Sequence, residues 1–297
     1  MTRVRHFMAA LAPMSLVGNL WQFLREIRAP YFAAIALPIL LGSAVAWATE
    51  DVLNVGLFAL ALVAGVFLQA GANMTNDFFD YQRLGEGSRW TLVPPQQAMQ
   101  GAFGFFTVGA MVGLYIALAT GPLVLLLGMV GIVSGYIYSA PPFRLSGTGV
   151  GEVLAGINLG LLTTLGAYYV QTGTVDWLVV WTALPVVLLM SATLILNGFL
   201  PTKLAANRSL WARLGRERAG VAYALPALLA FAVLIVGVAL NRLPQITLLA
   251  LLGMPLTASA IVGAQLGRLT FAIVSAVGAH LSTTALLSLA FVIQRFV

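Results

Sequence analysis

The sequence predicts an all-α polytopic membrane protein, a bundle of about nine transmembrane helices with its N-terminus in the cytoplasm, and three observations carry that prediction. The first is composition: 60% of the 297 residues are hydrophobic and 8% charged, with a mean hydropathy of +0.97, far from the balance of a soluble domain. The second is segmentation. A spanning helix needs ~20 mostly apolar residues to cross roughly 30 Å of hydrocarbon, and nine runs of that kind lie between clusters of charge, Gly and Pro. The third is the placement of the bases. With an inside N-terminus, 13 of the 15 Lys and Arg fall on the inside, leaving Arg242 and Arg295 for the other face, as the positive-inside bias requires.

In chain order, residues 1–30 come first. "FMAALAPMSLVGNLWQFLREIRAP" sets Trp21 and Phe23 beside Arg25 and Arg28. It reads as an amphipathic segment lying on the membrane surface, and it lacks the basic, apolar and small-residue order of a cleavable signal peptide. Residues 31–297 then read as one nine-helix domain. The first spans are expected at 31–49 and 54–77. Those at 101–119 and 122–139 form a hairpin across "TGP", and those at 150–171 and 177–197 form another across "TGTVD". The last three are expected at 219–240, 244–264 and 269–293.

Several function classes fall away. The net charge of +6 follows the loops beside helix ends, without the aromatic-studded soluble domain that reads nucleic acid. With no Cys, thiolate nucleophiles, thiolate ligands and disulfides are excluded. His6 and His280 are too few for a histidine-built metal centre.

One stretch departs from the apolar pattern. In "GANMTNDFFDYQRLGEGSRW", Asn73, Asn76, Asp77 and Asp80 follow the spacing i, i+3, i+4, i+7, which places them on one face of a helix. Ionisable groups at membrane depth are costly and mark functional sites; solvation of a helix end by two acids and two amides is the plainer alternative. Hard oxygen ligands suit Mg²⁺, which keeps several waters and bridges to phosphate oxygens. Arg83 and Arg89 follow on the same loop, and "YSAPPFRLSGTGVGE" supplies Tyr138, Ser139 and Arg144. Arginine donors match phosphate geometry, although positive-inside bias alone would place some bases there. Acids for a dication beside bases for phosphate describe a site that draws electrons onto a departing diphosphate.

These residues resemble the UbiA superfamily of intramembrane prenyltransferases. "IRAPYFAAIALPILLGSAVAW", "GANMTNDFFDY", "SGYIYSAPPFRL", "LGAYYVQTGT" and "RLGRERA" are most similar to the branch that prenylates 1,4-dihydroxy-2-naphthoate for menaquinone. The resemblance runs from about residue 27 to about 240. It implies a polyprenyl diphosphate ionised with help from Mg²⁺, and an allylic carbocation that alkylates an aromatic acceptor. The prenyl tail would lie among apolar helices. Asn73, Asn76, Asp77 and Asp80 match the first aspartate-rich motif, and Glu86 fits a further acid of the naphthoate branch. The implied catalytic set is Asp77, Asp80 and Asn73, with Asp77, Asp80 and Glu86 holding the metal. Asn76, Arg83, Arg89, Tyr138, Arg144, Lys203, Arg208 and Asn197 would meet the diphosphate. The expected setting is a bacterial or archaeal cell membrane with the site facing the cytoplasm.

The second half breaks the pattern. The family carries a second acidic motif at the end of the sixth span, where this chain reads "LILNGFLPTKLAANRSLWARLGRERA". Laying one half over the other puts Asn197 on Asn76, Gly198 on Asp77, Pro201 on Asp80 and Ala205 on Leu84. Between Asp176 and Glu217 there is no carboxylate at all, and neutral oxygens are poor substitutes towards a hard dication. Either Lys203 and Arg208 replace the missing cation, or the chain is a non-catalytic homologue that binds prenyl lipid or quinone. A cyclase or hydrolase without an aromatic acceptor is a related alternative.

Other residues carry less. Glu152 in "GVGEVLAG" could pair with a loop base, poise the acceptor or simply favour a helix N-terminus. Tyr168 and Tyr169 read as interface anchors. His280 reads as hydrogen-bonded between helices, and the Gly-rich spans as close-packing surfaces.

Overall fold

The computed structural model describes residues 32–84, 94–201 and 209–297, with residues 83 and 84 by backbone only. The expectation of an interfacial segment at 1–30 lies outside the described residues, as do those placed on Glu86, Arg89, Lys203 and Arg208.

The described residues form an all-helical bundle: α1 Ala33–Glu50, α2 Val55–Leu84, α3 Pro95–Thr120, α4 Leu123–Ser139, α5 Val150–Thr172, α6 Trp177–Gly198, the short α7 Leu210–Leu214, α8 Ala219–Ala239, α9 Gln245–Gln265 and α10 Leu269–Gln294. Among the described residues, eight helices are long and apolar enough to cross a membrane, and α4 is a shorter apolar helix of the same kind. Together these match the nine expected spans. The protein is a multi-span helical membrane protein.

Two boundaries, and the geometry in which one helix starts, differ from the sequence expectation. Helix α2 continues to Leu84, past the expected end near 77, because "TNDFFDYQRL" contains no Gly or Pro to break it. Loss of apolar character ended the run without ending the helix. At the other side of that loop, α3 starts at Pro95, whose missing N–H costs nothing at the first helical position. Helix α9 begins as a 3₁₀ stretch, Gln245–Gly253, after Pro244.

Packing divides the bundle. Residues of α1, α5, α6, α7, α8, α9 and α10 share one large core, with Leu41, Tyr168, Leu189, Phe199, Trp211, Tyr223 and Phe291 among its buried members. Helices α2 and α3 pack along each other around the small cluster Ala70, Met74, Ala98 and Ala102. Helix α5 is interrupted by a π segment, Ile157–Leu162, of the kind that often accompanies functional sites. Just before it, α5 presses against α6: a Cβ added at Gly156 would sit 2.1 Å from Ser191 Oγ and 2.6 Å from the Val187 carbonyl oxygen. Such close approach requires glycine.

Candidate functional site

A cavity of about 950 Å³ runs between α1, α2, α3, α4, α5 and α6. Along α2 it touches Ala61, Ala64, Gly65, Leu68, Gln69, Ala72, Asn73 and Asn76, the i, i+3, i+4 rhythm of one helical face. Much of its polar lining gathers around the polar stretch of α2, the ends of α4 and α6 and the start of α5: Asn73, Asn76, Tyr138, Ser146, Glu152 and Asn197. The remainder is mainly apolar, with Ile35, Ile39, Ile116, Val124 and Val170 among its walls, interrupted by Gln69, Ser134, Asn158 and Thr163.

The sequence-derived residues distribute as follows. Asn73 is buried, 7% exposed, and its Oδ1 accepts a 3.0 Å bond from Gln69 Nε2 one turn earlier. Asn76 is half-buried and lines the cavity. Asp77, 1% exposed, lies inside the helical packing, outside the cavity's lining set, and Asp80 follows one turn later, half-buried. Tyr138 and Asn197 line the cavity from the ends of α4 and α6. Arg144 is exposed, in the loop after α4, at φ +44°, and is outside the lining set. The structure thus brings Asn73, Asn76, Tyr138 and Asn197 around one space. It sets the two aspartates on the same helix beside it.

Across the cavity, the described part of the wall formed by α6 and α7 contains no acid of its own, and the acid beside it, Glu152, is engaged in hydrogen bonds. A Cβ on Gly198 would fall 2.2 Å from Trp211 Cδ1 and 2.5 Å from its Nε1; the indole occupies the place a side chain at 198 would take. Trp211 is 4% exposed, packs on Phe199 with ring centroids 5.5 Å apart, and donates from Nε1 to Glu152 Oε1 at 3.3 Å. The same carboxylate, 2% exposed, accepts from the Gly147 N–H at 2.8 Å and the Gly149 N–H at 2.9 Å. The latter is the reach-back half of a capping box at the start of α5. The Leu210 N–H closes the loop on the Gly147 carbonyl at 2.8 Å. Glu152 is therefore a three-donor anchor that ties the loop after α4, the start of α5 and α7 together.

Sequence reasoning missed this anchor. From sequence, Glu152 reads as a partner for a loop base, a group poising the acceptor or a helix-start acid, and nothing marks Trp211 as its partner. Gln69, Ser134 and Asn158 were missed too. Asn158, in the π segment, donates from Nδ2 to Ser134 Oγ at 2.6 Å across to α4, and both residues line the cavity. A polar residue recurring on an otherwise apolar helix face was the available signal.

For a divalent ion, the donor set fits on one side only. Two carboxylates one turn apart, on a stripe with two amides, are the hard oxygen ligands that Mg²⁺ takes one or two at a time. Among the described residues no group of three His, Cys, Asp or Glu converges, and the wall formed by α6 and α7 offers none.

The profile of the UbiA prenyltransferase family matches residues 35–269. The chain belongs to the UbiA prenyltransferase family. Among its relatives, the 1,4-dihydroxy-2-naphthoate octaprenyltransferase of Bacillus subtilis (strain 168) is 25% identical over 192 residues, 61% of each chain. The match thus spans about three fifths of that relative's length. The 2-carboxy-1,4-naphthoquinone phytyltransferase of Synechocystis sp. (strain ATCC 27184 / PCC 6803 / Kazusa) is 27% identical over 254 residues, 82% of this chain and 83% of that one. A UbiA homologue from Archaeoglobus fulgidus, solved bound to GPP and Mg²⁺, superimposes with a TM-score of 0.62 over 93% of this chain and 98% of its own. At 15% identity that likeness concerns the fold of this UbiA member.

Proposed function

We propose that this protein transfers a prenyl group from a polyprenyl diphosphate to an aromatic acceptor of the 1,4-dihydroxy-2-naphthoate class, within the membrane and with its polar cavity end towards the cytoplasm. The observation that carries the reading is the cavity's polarity: many of its amides and hydroxyls gather at one end, on the stretch of α2 that also carries Asp77 and Asp80, and the other walls are mainly apolar. A substrate with an anionic head and a long apolar tail has that same division. The 1,4-dihydroxy-2-naphthoate in the name of one relative and the 2-carboxy-1,4-naphthoquinone in that of another support the acceptor class.

In this reading Asn73 and Asn76 orient the diphosphate, the Tyr138 hydroxyl donates to its oxygens, and Asn197 contacts it from α6. Arg144, with Arg83, Arg89, Lys203 and Arg208 of the adjoining segments, balances its charge. Asp77 and Asp80, with Glu86 as a third oxygen donor, would hold Mg²⁺; when bound, the ion stabilises negative charge on the leaving diphosphate. The C–O bond breaks with its electron pair going to the diphosphate. An electron-rich ring carbon of the acceptor forms the new C–C bond and then loses its proton. The apolar walls keep water from the allylic cation, so that the acceptor rather than water captures it.

The test uses full-length protein in detergent with Mg²⁺, a labelled polyprenyl diphosphate and 1,4-dihydroxy-2-naphthoate. Diphosphate release and a prenylated naphthoate are expected, chelation should stop both, and restored Mg²⁺ should return them. Hydrocarbon or alcohol products without use of the acceptor would replace transfer by cyclisation or hydrolysis. The closed wall at Gly198 and Trp211 favours one second reading, a non-catalytic homologue that binds prenyl lipid. Prenyl diphosphate binding with no release under any acceptor would establish that instead.

A further inference from the structure

Helices α2 and α6 end on the same cavity from opposite sides, each bringing an asparagine to it, Asn76 and Asn197. One residue further along, the two ends part company: α2 has Asp77 and α6 has Gly198. We propose that Trp211 is a wall-forming positioning residue that takes the place of a carboxylate at 198, so that the site holds a single divalent cation, on the α2 side. The identity of the ion rests on the proposed function; the closure of the α6 wall does not.

Space makes the first part of the case. At 2.2 Å and 2.5 Å from two indole atoms, no Cβ can stand on residue 198 while Trp211 keeps its rotamer. Fixation makes the second. The indole is held on its face by Phe199 and at Nε1 by Glu152, and Glu152 is itself held by the N–H groups of Gly147 and Gly149. Swinging Trp211 away would strand a buried N–H and weaken the hold on a buried carboxylate, each costly in a low-dielectric interior. Electrostatics makes the third. Glu152 is the one acid within this wall, and both its oxygens already accept N–H donors, while the chain has no other acid between Asp176 and Glu217. A hard dication needs anionic oxygen, and among the described residues the one acid on this side, Glu152, has three of its about four acceptor sites filled by N–H donors.

Mn²⁺ serves as the probe, counted by electron paramagnetic resonance on full-length protein in detergent with one equivalent of inorganic pyrophosphate. The unmodified protein should bind one Mn²⁺ with a mononuclear spectrum, and Asp77→Asn should lose it. Trp211→Ala should still bind one, whereas Gly198→Asp combined with Trp211→Ala should bind two, because the indole's space is then open to a new carboxylate. Two ions, or a coupled pair, in the unmodified protein would overturn this inference and leave the proposed function standing. No ion would overturn both. A folded double variant that stays at one ion would show that Trp211 is not what closes the wall, and if that variant does not fold, the count on the unmodified protein decides.

Discussion

The ends of α2 and α6 face one cavity and are built in opposite ways. Along α2, the most apolar stretch is only 17% buried within the protein, against 61% for α6. The end of α2 carries two acids and two amides on one stripe, whereas the end of α6 passes directly into the large core through Phe199 and Trp211. The lesson concerns what each can afford to change. The apolar part of α2 is largely left to lipid while its polar stretch is packed, with Asp77 1% and Asn73 7% exposed. Polarity at membrane depth is thus concentrated where protein covers it. The end of α6, locked into the core, resists any added atom.

The largest effect should come from the acidic end. Asp77→Ala is expected to lower diphosphate release by up to about a thousandfold, the upper range for removing one preorganised electrostatic group, whereas Asn197→Ala on the opposite wall should cost only about tenfold, one neutral hydrogen bond. Equal losses in steady-state assays would erase the asymmetry. Next, Gly198→Asp should destabilise the protein by about 3 kcal/mol through overpacking against Trp211, read as a lowered thermal midpoint in detergent. Asp77→Asn, which keeps the shape of a side chain buried in the packing of α2, should leave that midpoint much closer to its starting value.

Smaller again is the anchor behind the α6 wall. Glu152→Ala leaves the N–H groups of Gly147, Gly149 and Trp211 without their acceptor, for a loss of about 2 kcal/mol; Glu152→Gln, which keeps an acceptor oxygen, should recover roughly half. If both variants melt like the parent, the wall is held by something else. The smallest effect belongs at the far face, where Arg295 of the C-terminus pairs with Asp51 after α1, with side chains 37% and 69% exposed. Asp51→Asn should cost under about 1 kcal/mol, as exposed ion pairs do, and leave both cavity walls unchanged in activity assays.

Much of the bundle was legible because the bilayer imposes it. Apolar run length and the placement of Lys and Arg depend on local composition alone, so the spans fell within a few residues of the helices. Where they did not, composition and backbone geometry disagree: α2 stays helical through "NDFFDYQRL" although it is no longer apolar, and α3 begins before its apolar run. The stripe from Asn73 to Asp80 was legible from its spacing. The Glu152–Trp211 bond was not, since it joins residues 59 apart in sequence and a single tryptophan among basic residues has no periodicity. The π segment was equally hidden, because "INLGLL" carries nothing to distinguish it from ordinary helix.

The cavity also has a depth. From Asn76 to Ala61 its α2 wall covers 76 − 61 = 15 residues, about 22 Å at the helical rise per residue, against roughly 30 Å of hydrocarbon. Under the proposed function, a prenyl tail seated with its head at the polar end would lie along ~22 Å of protein wall. In the proposed reading, a longer tail would extend past this wall. The protein would then handle short and long tails with the same grip on the head, and would meter only the part of the chain that fits within its own length.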